Sequence, residues 1–195
     1  MAAQNYEAAI SLIDEAHAQD PNITTVDGQA VPYELHYAQK MSHYLSLHSP
    51  NASPVLQVAV RAQHFRRWEV PRDSYPMTRP GYLNWRNFLK KRQAVLAAAI
   101  CAGCNFTAAE VDEVAQLIRK EGLPKNEETQ VLEDVACLVF LDDQFEDFEK
   151  NHDEQKIVEI LRKTWGKMSK KGHDLALKIP MSDTSKELIG KALSG

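Results

Sequence analysis

The sequence predicts an all-α fold, a single compact domain of about eight helices. Apolar residues recur at spacings of three and four along almost the whole chain, alternating apolar runs bounded by turn residues are missing, and cap signals punctuate the helical stretches. A length of 195 residues suits one ordinary core over 1–195, and 44% hydrophobic with 26% charged residues excludes the composition of a disordered chain.

The first helix is expected from Gln4 to Ala18, with Tyr6, Ile10 and Ile13 on one stripe, ending before Pro21. A polar loop to Val31 follows, with Asp27-Gly28 as its turn. Pro32 opens the second helix as a first-turn proline, and Leu35, Ala38, Ser42 and Leu45 share a face. Ser53-Pro54 starts a third over 54–67, with Leu56, Ala59, Val60 and Gln63 inward. Pro71, Pro76, Pro80 and Gly81 make 68–81 the longest irregular segment, and a loop of that length inside a compact domain is often functional. The fourth helix is expected over 82–102, its small residues from Ala94 to Ile100 suiting a central position. Thr107-Ala-Ala-Glu110 is a capping box for the fifth, which stops at Gly122-Leu-Pro124. The sixth, over 126–150, is the most apolar, and 153–168, 173–177 and 183–193 complete the chain. The helices at 54–67, 82–102 and 126–150 carry the strongest apolar stripes and are expected to pack on one another.

No stretch approaches the roughly 18 to 20 apolar residues of a membrane span, and Met1 to Ile10 lacks the pattern of a signal peptide. A cytoplasmic or nuclear location is therefore expected, neither secreted nor membrane-bound. Three cysteines, an odd number, favour reduced thiols over a disulfide framework.

The charge of −4 argues against a protein that coats nucleic acid, but its distribution is uneven. Between Arg61 and Arg92 nine basic residues face only Glu69 and Asp73, which gives this stretch +7 and leaves −11 for the remainder. A local field of this kind favours a discrete anionic ligand, and the guanidinium fork pairs bidentately with phosphate or carboxylate. Trp68, Tyr75, Tyr82 and Trp85 interleave with these charges and offer π-faces to a nucleobase. The plainer alternative makes Tyr82 and Trp85 core residues and leaves the arginines in water. No glycine-rich phosphate loop is present.

Helical periodicity points Gln63 and Asp134 toward apolar surroundings, with His64 at the edge of the Gln63 face. A buried carboxylate must be paired, hydrogen-bonded or metal-bound, so His64 and Asp134 are expected to face one another or share a partner. A structural hydrogen-bond network around Asp134 is the alternative. Cys101-Ala-Gly-Cys104 closes a helix, where the dipole disfavours a reactive thiolate, and no second pair completes a zinc site. His36 and His43 flank an apolar stripe and are expected in solvent, as is the acidic run from Asp142 to Glu154, which lacks a calcium-loop pattern.

Arg61-Ala-Gln-His-Phe-Arg-Arg-Trp-Glu-Val-Pro-Arg72, Gly81-Tyr-Leu-Asn-Trp-Arg86 and Leu132-Glu-Asp-Val-Ala-Cys-Leu-Val-Phe-Leu141 resemble the family catalogued as domain of unknown function 4202, from Tyr6 to about Leu177. Members are sometimes labelled glutamyl-tRNA synthetase, a label that looks wrong here because nothing resembles the ATP-binding signatures of such enzymes. A remoter resemblance is to HD-type metal phosphohydrolases, in which a histidine, a His-Asp pair and a later helix-borne aspartate bind metal. Gln63-His64 occupies the region of the pair, Phe65 stands where that family has Asp, His36 offers a first histidine and Asp134 a later aspartate. This likeness implies a degenerate HD-like helical fold and a divalent metal, the sole cofactor implied, on His64 and Asp134.

The function expected is that of an enzyme or enzyme-like protein binding a phosphorylated or nucleotide-like small molecule, with an HD-like phosphohydrolase as its sharpest form. His64 would act as general acid/base, oriented by Asp134 and Glu121, while Gln63, Arg66, Arg67, Trp68, Arg72, Tyr75 and Arg86 line the ligand. The rival is a non-catalytic helical module that binds an acidic protein or RNA through the Arg-rich segment. A third reading is a degenerate phosphohydrolase fold that binds a nucleotide without turnover.

Overall fold

A computed structural model describes residues 2–123 and 125–194. The mostly α-helical domain expected from the apolar spacing is what the chain forms. Helix α1 (Ala2–His17) is followed by strands β1 (Ile23–Val26) and β2 (Gln29–Pro32), then α2 (Tyr33–His48) and α3 (Pro54–Arg61). After two short 3-10 turns come α4 (Arg79–Gly103), α5 (Ala108–Arg119) and α6 (Glu127–Val139). A π-helical turn over Phe140–Gln144 leads into α7 (Phe145–Lys150), and α8 (Glu154–Trp165), α9 (Lys170–Ala176) and α10 (Asp183–Leu193) close the fold.

The caps read from the sequence are formed. Ser53 Oγ accepts from the Leu56 amide, and Thr107 and Glu110 exchange both bonds of the capping box. Each satisfies an orphan amide of a first helical turn. Pro124, expected to help stop α5, lies outside the described residues.

Five expectations need correction. The polar loop before α2 is an antiparallel hairpin with Val26 opposite Gln29, because Asp27 (φ 49°) and Gly28 (φ 79°) both adopt the left-handed conformation that a two-residue hairpin turn needs. Pro32 ends β2 and stands just before α2, and α4 begins at Arg79, three residues earlier than expected, because Thr78 caps it and Pro80 sits in its first turn. The helix expected over 126–150 is broken by the π-turn, and α3 stops at Arg61, six residues short of the expected end.

The core lies where α2 packs against α3 and α6, and α3 against α5 and α6. Met41, Leu56, Val58, Val60, Val114, Leu132 and Leu138 fill it. Here too an expectation fails: α4 packs chiefly on α5 and α1 and has no extensive contact with α3 or α6. A layer of α8 on α10 flanks this centre, with α9 against α6.

Candidate functional site

The chain after α3 is bent by two left-handed residues, His64 (φ 61°) and Arg66 (φ 52°), separated by the buried Phe65. Such a conformation costs about 1–2 kcal/mol for each residue other than glycine, so surrounding contacts must hold it. Arg61 grips Asp14 with Nε at 2.6 Å and Nη2 at 2.7 Å, and its Nη1 donates to Ser42 Oγ at 3.0 Å. His17 donates from Nε2 to the Arg61 carbonyl at 3.0 Å and meets the Phe65 ring edge-on. Arg92 donates to the Arg66 carbonyl at 3.0 Å and pairs with Glu69. Glu34 accepts the Trp68 amide at 2.9 Å. None of these contacts uses Arg67.

Arg67 is thereby aimed into a cleft of about 760 Å³ between this bend, the hairpin, α2 and the π-turn. One wall is cationic and aromatic: the Arg67 guanidinium lies 4.8 Å from the centre of the Trp85 ring and that of Arg72 lies 5.9 Å from it. Trp85 is fixed by its own N–H, which donates to the Val70 carbonyl at 2.9 Å. Trp68 lines the same wall, and its buried indole N–H has no partner among the described residues. The rest of the lining includes Asp20, Asp143, Asp147, Phe140 and Phe148. The π-turn builds part of it, since Tyr33 accepts from Gln144 at 2.6 Å and His36 donates to Asp143 at 2.5 Å. Single π-turns interrupt helices frequently at functional sites.

His64 sits in the cleft stacked on Tyr37, ring centres 4.1 Å apart, with Arg67 Nη1 donating to Nε2 at 2.9 Å. Burial first, then the positive charges of Arg67, Lys120 and Arg86, hold its pKa well below the ordinary histidine value. The ring is a neutral imidazole whose acceptor nitrogen faces a guanidinium. Burial pushes the neighbouring Tyr37 hydroxyl upward, so Tyr37 is a neutral stacking partner.

Asp134 is fully buried, as its helical position implied, but its partner is not His64. One oxygen accepts from His48 Nε2 at 3.0 Å and from Ser169 Oγ; the other accepts from the Ser169 amide at 2.8 Å and Gln130 Nε2 at 2.9 Å. Burial alone would raise this carboxyl, and the bonds from His48, Ser169 and Gln130 together bring it below the usual carboxylate range. The network ties α2, α6 and the start of α9 together. A Cβ on Gly172 would lie 2.8 Å from the Asp134 carboxyl carbon, so α9 approaches this closely only because residue 172 is glycine.

The remaining sequence-derived candidates divide. Arg67, Trp68 and Arg72 line the cleft with His64, although Arg72 also pins its own loop by donating to the carbonyls of Tyr75 (3.0 Å), Pro76 (2.9 Å) and Thr78 (3.3 Å). Arg66 is paired with Glu69, Gln63 bonds the Ala59 carbonyl of its own turn, and Tyr75 packs beside Phe88. Arg86 is exposed beside Tyr82, and Glu121 is exposed and bound to Arg119, so Glu121 does not orient His64. His36 and Asp142 are not free in solvent: they meet Asp143 and Lys40. Sequence reasoning missed His48 and Glu34. His48 had a signal, since Tyr37, Met41, Tyr44 and His48 form one stripe of α2. Glu34 had none. Burial raises the Cys101 and Cys137 thiols to about 11 and about 12, so both stay protonated.

Comparison with known proteins adds one positive finding. The profile of the family described as "Domain of unknown function (DUF4202)" matches residues 7–189. The chain belongs to the DUF4202 family. No curated protein and no solved structure matches it. No helix of this DUF4202 chain, among the described residues, is long and apolar enough to cross a membrane. Nor do its described residues contain a cluster of three or more His, Cys, Asp or Glu side chains arranged to hold a metal ion.

Proposed function

We propose that the cleft of this DUF4202 protein binds a small molecule that carries a phosphate at one end and an aromatic, hydroxyl-bearing body at the other, as a nucleotide does. The unpartnered indole N–H of Trp68 carries this reading, because it is a buried donor beside two arginines and so calls for an acceptor from outside the chain. Arg67 and Arg72 supply charge to a phosphate, and Trp85, within cation–π distance of both, limits where it sits. The aromatic body fits beside Phe140 and Phe148. Asp143 and Asp147 accept from hydroxyl or amino groups and repel a second anionic end.

His64 is the group suited to move a proton. Its neutral ring accepts a hydrogen bond from Arg67, and a phosphate that draws Arg67 away would free Nε2 to accept a proton from a ligand hydroxyl or water. The metal centre implied by the phosphohydrolase likeness does not fit these residues. The Asp134 oxygens already accept four bonds, and a guanidinium occupies the His64 nitrogen that a metal would need.

A thermal-shift screen of nucleoside mono-, di- and triphosphates and sugar phosphates tests the proposal. At least one is expected to raise the melting temperature, and Arg67→Ala with Arg72→Ala is expected to weaken it by about two orders of magnitude, as loss of charged hydrogen bonds to an anion does. A screen without any stabilising phosphate compound contradicts the reading. A response only to RNA or acidic peptides transfers the basic segment to a binding module.

A further inference from the structure

The Asp134 carboxylate does more than join α2, α6 and α9. It accepts N–H bonds from His48, Gln130 and the Ser169 amide and an O–H bond from Ser169, which together keep it ionised. A carboxylate has no proton to give, so the 3.0 Å contact with His48 places a hydrogen on Nε2 of that ring. In the neutral imidazole Nδ1 is then the acceptor, and its partner is Ser49 Oγ at 3.0 Å. The hydroxyl proton of Ser49 therefore points at a ring nitrogen whose opposite N–H is tied to a carboxylate.

The three groups run from the interior to the surface. Asp134 is fully buried, His48 is 5% exposed, and Ser49 is part-exposed at the end of α2, where the exposed turn at Pro50 and Asn51 begins. The backbone of Ser49 is held on both sides: its amide donates to the Leu45 carbonyl at 2.7 Å, and its carbonyl accepts the Ala52 amide at 3.0 Å. Its neighbours serve backbone instead, since Ser46 donates to the His43 carbonyl and Ser53 accepts the Leu56 amide. His48 lies in the last turn of α2, where the negative end of the helix dipole joins Asp134 in favouring the imidazolium that forms when the ring takes a proton. None of the three residues lines the cleft.

We propose that Ser49 is a nucleophile activated by His48 and Asp134, and that it takes the acyl group of a small activated ester. Ser49 Oγ bonds to the ester carbonyl carbon while His48 Nδ1 receives the hydroxyl proton. The bond from that carbon to the leaving oxygen then breaks, and the departing oxygen takes the proton from the ring. Ser49 ends as an acyl ester and His48 returns to neutral. A hydroxyl at an exposed turn, outside the cleft, suits a short acyl group. The probe is p-nitrophenyl acetate, with the acetylated residue located by peptide mass spectrometry of the whole chain. Ser49 of the folded protein is expected to react about 100-fold faster than Ser49 of the urea-unfolded protein, the low end of what a positioned base contributes. His48→Gln can still donate to Asp134 but cannot take a proton, so it should lose that advantage. Ser49→Ala should abolish the fast release of p-nitrophenolate and leave the slow acetylation of lysines. If His48→Gln does not fold, the comparison of folded with unfolded wild type decides alone. Acetyl found only on lysines, equal rates at Ser49 in the folded and unfolded chains, or an undiminished rate in folded His48→Gln overturns the proposal.

Discussion

Arg67 Nη1 lies 2.9 Å from Nε2 of His64 while the other partner of that ring, Tyr37, stacks on it at 4.1 Å. A histidine held this way is neutral in the folded chain and titrates near its ordinary value of about 6.5 only when unfolded. Because its folded pKa is depressed, the unfolded state binds the extra proton first as pH falls. The contribution of His64 to stability is complete above about pH 6.5 and declines below it, toward the folded pKa. Urea unfolding between pH 5 and 8 should show stability rising with pH, and Arg67→Met should flatten that slope while raising the His64 pKa measured by NMR. An unchanged His64 titration in the variant would mean that burial alone sets it.

Removing Asp134 should be among the most damaging changes in the chain. Asp134→Ala strands His48, Gln130 and both Ser169 donors in the interior, and loss of one partner of a buried charged network costs about 3–5 kcal/mol. Asp134→Asn keeps the shape but must turn its amide toward donors, so it should fall between. Equilibrium denaturation measures both, and a loss below about 1 kcal/mol for the alanine variant would contradict the network.

Gly172→Ala offers an independent check on the same place. In an exposed helix the change gains about 1 kcal/mol. Here the new methyl group meets the Asp134 carboxyl carbon at 2.8 Å, so the variant should instead lose stability, and a stabilised protein would show that α9 can withdraw.

Arg66→Ala should do little. Its guanidinium pairs with Glu69 at a partly exposed position, Arg92 keeps hold of Glu69, and such pairs contribute about 0–1 kcal/mol. Affinity for a phosphorylated ligand should stay within about twofold of wild type, whereas Arg67→Ala should weaken it by about tenfold.

The helices were legible where a periodic stripe coincided with a cap, as at Ser53-Pro54 and Thr107-Ala-Ala-Glu110. The break after Arg61 was not, because nothing in Ala62 to Arg67 forbids a helix; the left-handed His64 and Arg66 follow from tertiary anchors on Arg61, Phe65 and Glu69. The π-turn was hidden for a similar reason, since Phe140 and Phe145 continue an ordinary apolar stripe. Periodicity pointed Asp134 into the core and His64 to the edge of the Gln63 face, but it could not pair them with residues elsewhere in the chain. The partner of Asp134 proved to be His48, 86 residues away, and His64 was met by Arg67 on its own loop.

The most direct measurement is the indole N–H resonance of Trp68 in a nitrogen-15 correlation spectrum, assigned by Trp68→Phe, during titration with the phosphorylated compound that stabilises the protein most. If the cleft binds that compound as described, the Trp68 resonance moves downfield as its N–H gains an acceptor, in step with the thermal shift. The Trp85 indole, already bonded to the Val70 carbonyl, moves far less. A stabilising ligand that leaves Trp68 unmoved would place its site elsewhere and contradict the account.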